Sequence, residues 1–385
     1  MIGVKCVKQS HRCTELNDLM REFRFMVNEA IRIGIEKNIT SKLTLRNGLY
    51  PRFKNEFHTS YISMAVFKAH ALLKSYRKTI KKNHNGKIPR VKPDKLFLIV
   101  DSNCYKIFYD HIQIPTRPRE FVIIPLNQYV SRTLADQTFK RGNVTITPNH
   151  LSISFSKEVQ TKEPTGYMGI DMNLENATGT DDKGQVDIIY MSHIVSMKMK
   201  YREILSHFTR NDTRIQKKLK NKYSMKQRNR EDTFLHQKSK EIISSGKQII
   251  LEDLKGIRKL YKKGNGQGTR FRFRLNSWSR FKLQQMINYK SIWQNGFPVI
   301  FVNPKGTSSK CSRCEAKALE ENRNVRCPRC GLHIDRDVNA SRNILNRGIR
   351  SMPDGLANEA MVQESGTPVI LKVDARQLIY RSLIS

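Results

Sequence analysis

Four cysteines spaced C-x2-C-x12-C-x2-C, at Cys311, Cys314, Cys327 and Cys330, constrain this chain more than any other feature. Each pair can curl into a knuckle that turns both sulfurs toward one centre. Two such knuckles make a closed tetrahedral thiolate set for structural Zn2+, with no open position for a substrate. An iron–sulfur centre and four separate thiols are the alternatives. Metal binding supplies folding energy where a ribbon has little core of its own. CPRCG carries the glycine that eases its turn, whereas CSRCE has Glu315 there. A side chain at positive φ in that place costs about 1 kcal/mol. His333 lies close by and is expected to stay outside the ligand set.

The remaining cysteines, Cys6, Cys13 and Cys104, are scattered singly and read as ordinary thiols. The start MIGVKCVKQSHRC lacks an apolar leader, and no apolar run is long enough to span a bilayer. The expectation is a reducing cytoplasm without a membrane partner, where metal binding is favoured over disulfides. The charge balance narrows the function further. Lys and Arg number 70 against 34 Asp and Glu, a formal net charge of +36. A surplus of this size repels itself unless a polyanion offsets it, and nucleic acid is that polyanion.

Apolar spacing divides the 385 residues into an α+β, multi-domain chain. Residues 14–36 and 60–82 read as helices, the first through Leu16, Leu19, Met20, Phe23, Val27, Ala30 and Ile31. From about 86 to 158, short runs such as LFLIV, FVIIPL, NVTIT and LSISFS alternate with turn residues. With IGVKCV they read as an N-terminal β-barrel over 1–162, carrying a helical insertion at about 11–84. EPTGYMG is the expected boundary. Beyond it, GYMGIDMN, GQVDIIYMS, KQIILEDLKG and FPVIFVNP read as strands. They alternate with a long basic helical region at 195–245 and a helix at 275–293, an α/β layer over 163–348. The ribbon, about 305–334, interrupts that layer. The Gly-rich basic stretch 258–274 reads as a loop. After Gly348 the periodicity fades, and the tail 349–385 is expected to be disordered.

Acids at the ends of apolar strands stand out in so basic a chain. Asp171 follows YMGI, Glu252 follows QIIL, and Asp335 and Asp337 precede the helix start VNASRNIL. Singly, each has an ordinary use: a turn, a lysine partner, or a helix N-cap for either of the last two. Together, an acid inside a first strand, one ending a later strand and one on a closing helix can converge. Three carboxylates there would hold two hard cations, Mg2+ or Mn2+, for phosphodiester cleavage.

GIDMNLENATGTDD at 169–182, IILEDLKGI at 249–257, the cysteine ribbon and DRDVNASRNI at 335–344 stand in an order that resembles the TnpB (OrfB) family of insertion-sequence proteins. NSWSRFKLQQMINYK, NPKGTSSKCSRC, the ending GLANEAM…TPVIL, and PRVKPD and IPTRPREFVIIPL in the first half agree with it. The resemblance implies a wedge β-barrel with a helical recognition insertion, then a RuvC-like nuclease domain of the RNase H type interrupted by the zinc ribbon. It implies RNA-guided cleavage of DNA and kinship with type V CRISPR effectors. The implied partners are a guide RNA from the transposon end and target double-stranded DNA with a short adjacent motif. The implied location is the prokaryotic cytoplasm, on the nucleoid when bound to DNA. The implied catalytic and Mg2+-binding acids are Asp171, Glu252 and Asp337. The last is chosen because the family's acid stands two before the Asn of D-x-N-A, here Asn339; Asp335 becomes its neighbour. The chain departs from the family at Asn173, where Gly is common, at ATGT, and at Glu315. The competing reading is a nuclease-inactive or unguided DNA-binding protein acting in transposition or its regulation.

Overall fold

The computed structural model describes residues 1–352 except 84, 85, 118, 209–211, 256, 258–263 and 265. The expected tail 349–385 lies outside these residues from 353 onward, and of the expected loop 258–274 so do 258–263 and 265; the end of that loop is instead helical from Thr269, and the last helix runs on to Arg350. The chain divides into two compact units, one of Val4–Lys157 and one of Met1–Gly3 with the described residues from Glu158 onward.

The first unit opens with strand β1 (Ile2–Ser10), then helices α1 (Asn17–Glu36), α2 (Lys42–Phe53) and α3 (Thr59–Asn83). On α1, Leu19, Met20, Phe23, Met26, Val27 and Ala30 make one buried stripe at helical spacing. α2 buries only Leu45, Leu49 and Phe53, each one turn from the last, and Pro51 falls in its closing turn. Strands β2 (Leu98–Val100), β3 (Lys106–Ile107), β4 (His111–Arg117) and β5 (Glu120–Pro125) follow. Then come α4 (Gln128–Leu134), β6 (Lys140–Thr147) and β7 (His150–Glu158). Buried Leu151, Ile153 and Phe155 on β7, and Ile112 and Ile114 on β4, show the period-two burial of one-sided sheets. The strands form two hydrogen-bonded sheets, ordered β1-β7-β6-β2 and β3-β4-β5, and a closed barrel ladder is not shown among the described residues. β2 and β3, the last strand of one sheet and the first of the other, are only 3 and 2 residues long.

The second unit is built on a five-stranded sheet ordered β10-β9-β8-β11-β12. Its strands are β8 (Tyr167–Met172), β9 (Asn176–Asp181), β10 (Val186–Tyr190), β11 (Gln248–Glu252) and β12 (Ile300–Val302). β8 pairs antiparallel with β9 and parallel with β11, so an antiparallel flap continues into a parallel core. Between β10 and β11 run α5 (Ser192–Ser206) and the 32-residue α6 (Thr213–Ser244). α6 buries nothing before Glu231, which leaves its basic first half to solvent. α7 (Thr269–Asn276) and α8 (Arg280–Asn295) precede β12. The ribbon carries β13 (Leu319–Glu321), β14 (Asn324–Arg326) and β15 (His333–Asp335), and α9 (Arg336–Arg350) follows it directly.

A buried ionic cluster fastens α5, α6 and α8 together. Lys198 Nζ donates to Glu231 Oε1 at 2.7 Å, to the Ser277 carbonyl at 2.8 Å and to Ser279 Oγ at 3.0 Å. Lys282 pairs with Asp232. Burial raises the Glu231 carboxyl, but Lys198 and Lys282 outweigh it and hold the group below its ordinary range.

Candidate active site and metal centre

The three acids are assembled by register and by one glycine. β8 and β11 run parallel with Gly169 opposite Ile250 and Ile170 opposite Leu251. The next residue on each strand is Asp171 and Glu252. Alternation therefore sets Gly169, Asp171, Ile250 and Glu252 on one face of the sheet. That face carries α9. A Cβ built on Gly169 would lie 2.4 Å from the Ser341 carbonyl and 2.5 Å from the Leu345 nitrogen, so the helix backbone rests on the strand where a side chain is missing. Ile250, Val302, Ile344 and Leu345 form the apolar core of this contact. Asp337 stands one turn before Ser341, about 6 Å along the helix, and Asp171 stands two residues past Gly169, about 7 Å along the strand.

Asp335 and Asp337 have separate jobs. Asp335 caps α9, its side chain accepting from the amides of Asp337 at 2.8 Å and Val338 at 3.1 Å. That leaves Asp337 to turn inward, where it is 2% exposed. Its Oδ2 accepts from Asn176 Nδ2 at 3.1 Å and from Arg323 Nη2 at 2.8 Å. Asp171 Oδ2 accepts from Asn173 Nδ2 at 2.8 Å. Glu252 Oε1 accepts from Thr307 Oγ1 at 2.5 Å. Each acid thus has its own neutral donor, and Asp337 alone of the three also hydrogen-bonds a guanidinium.

The electrostatics follow from that arrangement. Burial pushes the Asp171 carboxyl up to about 7; repulsion from Glu252 and Asp337 adds to it, against the hydrogen bond from Asn173. Burial also raises Glu252, against the bond from Thr307. Three oxygen donors whose charges oppose one another suit a hard divalent cation, which would remove the repulsion. The acids interact electrostatically but are not closed on one point as the cysteines are.

The cysteines are. Their four Sγ atoms lie within 4.8 Å of one another, with Cys311–Cys330 and Cys314–Cys327 both at 3.5 Å. A tetrahedral zinc about 2.3 Å from each sulfur sets them about 3.8 Å apart, so the cluster fits the ion. The two knuckles repeat one pattern. Glu315 N donates to Cys311 O at 2.9 Å and Gly331 N to Cys327 O at 3.0 Å, while Cys311 N reaches Ala316 O and Cys327 N reaches Leu332 O. Glu315 adopts φ 60 and Gly331 φ 71, so the first knuckle takes the left-handed turn despite its side chain. His333 is exposed on β15, outside the cluster.

The fully buried Asn339 ties the ribbon to the helix. Its Nδ2 donates to Lys310 O at 2.8 Å and its Oδ1 accepts from Ser312 N at 2.9 Å, on either side of Cys311. Asn343 donates to Thr307 O and to Lys310 O, both at 2.7 Å. One face of α9 therefore grips the cysteine ribbon and the loop that carries Thr307. The roles of Thr307, Asn176 and Arg323 were not legible in the sequence. Asn173 was visible only as a departure, and it proves to face the acid two residues before it.

These features define a mixed α/β, multi-domain protein with a four-cysteine ribbon packed on the helix that carries Asp337. The Cas12f1-like TNB domain family matches residues 280–344, and the uncharacterized protein MJ0013 family matches residues 19–115. A TnpB-like protein of Methanocaldococcus jannaschii is 34% identical over 264 residues, 63% of this chain and 92% of that protein. The CRISPR-associated endodeoxyribonuclease Cas12f1 of Sulfoacidibacillus thermotolerans is 32% identical over 123 residues, 29% of this chain and 26% of that protein. The chain thus spans nearly all of the first relative and about a quarter of the second. Among solved structures, the Cas12f1–sgRNA–target DNA complex matches with a TM-score of 0.55 at 15% identity, covering 87% of this chain and 83% of that one. The mini-RNA-guided endonuclease Cas-phi3 matches with a TM-score of 0.55 at 11% identity, covering 90% and 92%. The chain belongs to the TnpB family, related to the type V effectors. No helix among the described residues is long and apolar enough to cross a membrane.

Proposed function

We propose that this protein is an RNA-guided DNA endonuclease of an insertion sequence, cutting phosphodiesters in a RuvC-like domain of the RNase H type. The observation that supports the reading is that Asp171 and Glu252 share the sheet face covered by α9, the helix bearing Asp337, and that both acids repel charge on Asp171, in a chain of the TnpB family. The three acids would hold Mg2+ or Mn2+, and two such ions supply Lewis acidity to the attacking and leaving oxygens of the phosphodiester. Asn173, Asn176 and Thr307 orient the carboxylates through the bonds described above. Arg323 keeps a positive charge beside Asp337, where a phosphate would arrive. The four cysteines hold structural Zn2+, and Asn339 transmits the ribbon's rigidity to the helix bearing Asp337. The wedge-like first unit and the basic half of α6 contact phosphates of a guide RNA from the transposon end. Base pairing to that guide selects the target double-stranded DNA, and the protein reads a short adjacent motif.

The test starts with expression beside the native flanking DNA and sequencing of the nucleic acid that copurifies. A discrete RNA from the element's end, with a variable 3′ segment, is expected to direct cleavage of a matching plasmid. Asp171→Ala, Glu252→Ala and Asp337→Ala should each stop cleavage and leave the bound RNA in place, while Asp335→Ala still cuts. Cleavage by Asp337→Ala together with its loss in Asp335→Ala would overturn the assignment of the third acid. Copurification of DNA without a specific RNA would favour an unguided DNA-binding protein.

A further inference from the structure

Strand β9 lays three polar side chains along the sheet face that α9 covers. Asn176, Thr178 and Thr180 alternate with Ala177 and Gly179, so the three share one side of the sheet. The outer two bond to α9. Asn176 Nδ2 donates to Asp337 Oδ2 at 3.1 Å, and Thr180 Oγ1 and Ser341 Oγ share a buried hydrogen bond at 2.5 Å. The middle one does not. Thr178 is 1% exposed, and its Oγ1 has no hydrogen-bond partner among the described residues. A buried hydroxyl left unpaired is destabilising, and a valine of the same branched shape would avoid the loss. A preference of threonine for strands explains the branching at this position and leaves the orphaned hydroxyl without a use.

Register sets what that hydroxyl faces. Thr178 stands directly opposite Asp171 in the antiparallel β8–β9 ladder. Side chains of such a pair leave the same face with Cβ atoms about 4.5–5.5 Å apart, a gap that a hydroxyl and a carboxylate turned toward each other can bridge. The Asp171 side chain accepts one hydrogen bond, from Asn173 to Oδ2, and its Oδ1 accepts none among the described residues. An unpaired donor and an unpaired acceptor therefore stand across one rung of the sheet. A carboxylate oxygen offers two lone pairs, so accepting from a hydroxyl leaves one for a cation.

We propose that Thr178 is a positioning residue: its hydroxyl donates to Asp171 Oδ1 when that carboxylate ligates a divalent cation, while Asn173 holds Oδ2. The two donors together fix the plane of the carboxylate, and Thr178 acts only through Asp171. The proposal rests on the reading of Asp171, Glu252 and Asp337 as cation ligands, and its test separates the two.

The full-length protein is titrated with Mn2+ in the absence of a cleavable target, and free Mn2+ is read from its electron paramagnetic resonance signal. Binding that Asp171→Ala loses defines the acid site. Thr178→Val is expected to weaken that binding about ten-fold, and Thr178→Ser to hold it as the parent does. In chelator, Thr178→Val should melt at or above the parent, because it deletes an unpaired group. Three results would overturn the role of Thr178 and leave the acids as a cation site. They are Thr178→Val binding Mn2+ as the parent does, Thr178→Ser binding as weakly as Thr178→Val, and Thr178→Val melting below the parent in chelator. The second would assign the effect to the lost methyl, and the third would show a hydroxyl already bonded within the fold. Mn2+ binding by Asp171→Ala equal to the parent's would overturn the acid site itself, and the role of Thr178 with it.

Discussion

Asp171 is held in the fold at a pKa of about 7 against its ordinary 3.8, chiefly by burial. Between those values the folded chain keeps a proton that the unfolded chain has released. The metal-free protein therefore loses stability as pH rises from about 4 to about 7. Asp171→Asn removes the loss. In chelator it should melt above the parent at pH 8, by on the order of 5 °C, with the gap closing near pH 4. Saturating Mg2+ should then raise the parent's Tm more than the variant's. A parent that matches Asp171→Asn at pH 8 without metal would show that the carboxylate is not confined as described. Asn173 gives a second prediction at this scale. Its amide fixes one oxygen of Asp171 at 2.8 Å, so Asn173→Ala should raise the Mg2+ needed for half-maximal cleavage about ten-fold, with bound RNA unchanged. An unaltered Mg2+ requirement would leave this asparagine without a part in the site.

Elements meet here through absent or buried side chains. Gly169→Ala forces a methyl into the backbone of α9 and should cost about 2–4 kcal/mol, read as a lower urea midpoint. A wild-type midpoint would mean that the helix does not rest on β8. Lys198→Met strands Glu231 without its closest cation and should cost about 3–5 kcal/mol; Lys198→Met with Glu231→Gln should recover part of it. Absence of that recovery would assign the loss to packing alone. The same elements show what could be read in advance. Helix α1 was legible because its apolar stripe is regular, and the ribbon because cysteine spacing is a geometric code. Strand β9, NATGTD, was missed: five of its six residues are buried, yet they are small or polar and show no alternation. α2 was missed because only three apolar residues mark it and a proline sits in its last turn. Asp171 and Glu252 were visible as acids ending apolar runs, and Asp335 and Asp337 as acids before a helix start, with only the family resemblance to choose between the last two. Their partners Asn176, Thr307 and Arg323 were not, since a neutral donor or a lone arginine has no pattern until register brings it close.

The whole molecule carries its charge as a working surface. With 70 basic residues against 34 acidic ones, its nucleic-acid affinity should fall steeply and linearly in log Kd against log salt. Neutralising Lys217, Lys218, Lys220 and Lys222 on the exposed half of α6 should flatten that slope by about 3 to 4 if all four contact duplex phosphates. An unchanged slope would place the contacts elsewhere. One further consequence follows from where the three acids lie along the polypeptide. They sit at 171, 252 and 337, and the last rides on α9, the helix that also covers the strand bearing the first. A fragment that stops before α9 has no wall opposite Asp171 and no third carboxylate. The proposed cutter is therefore incomplete in any fragment that ends short of that helix.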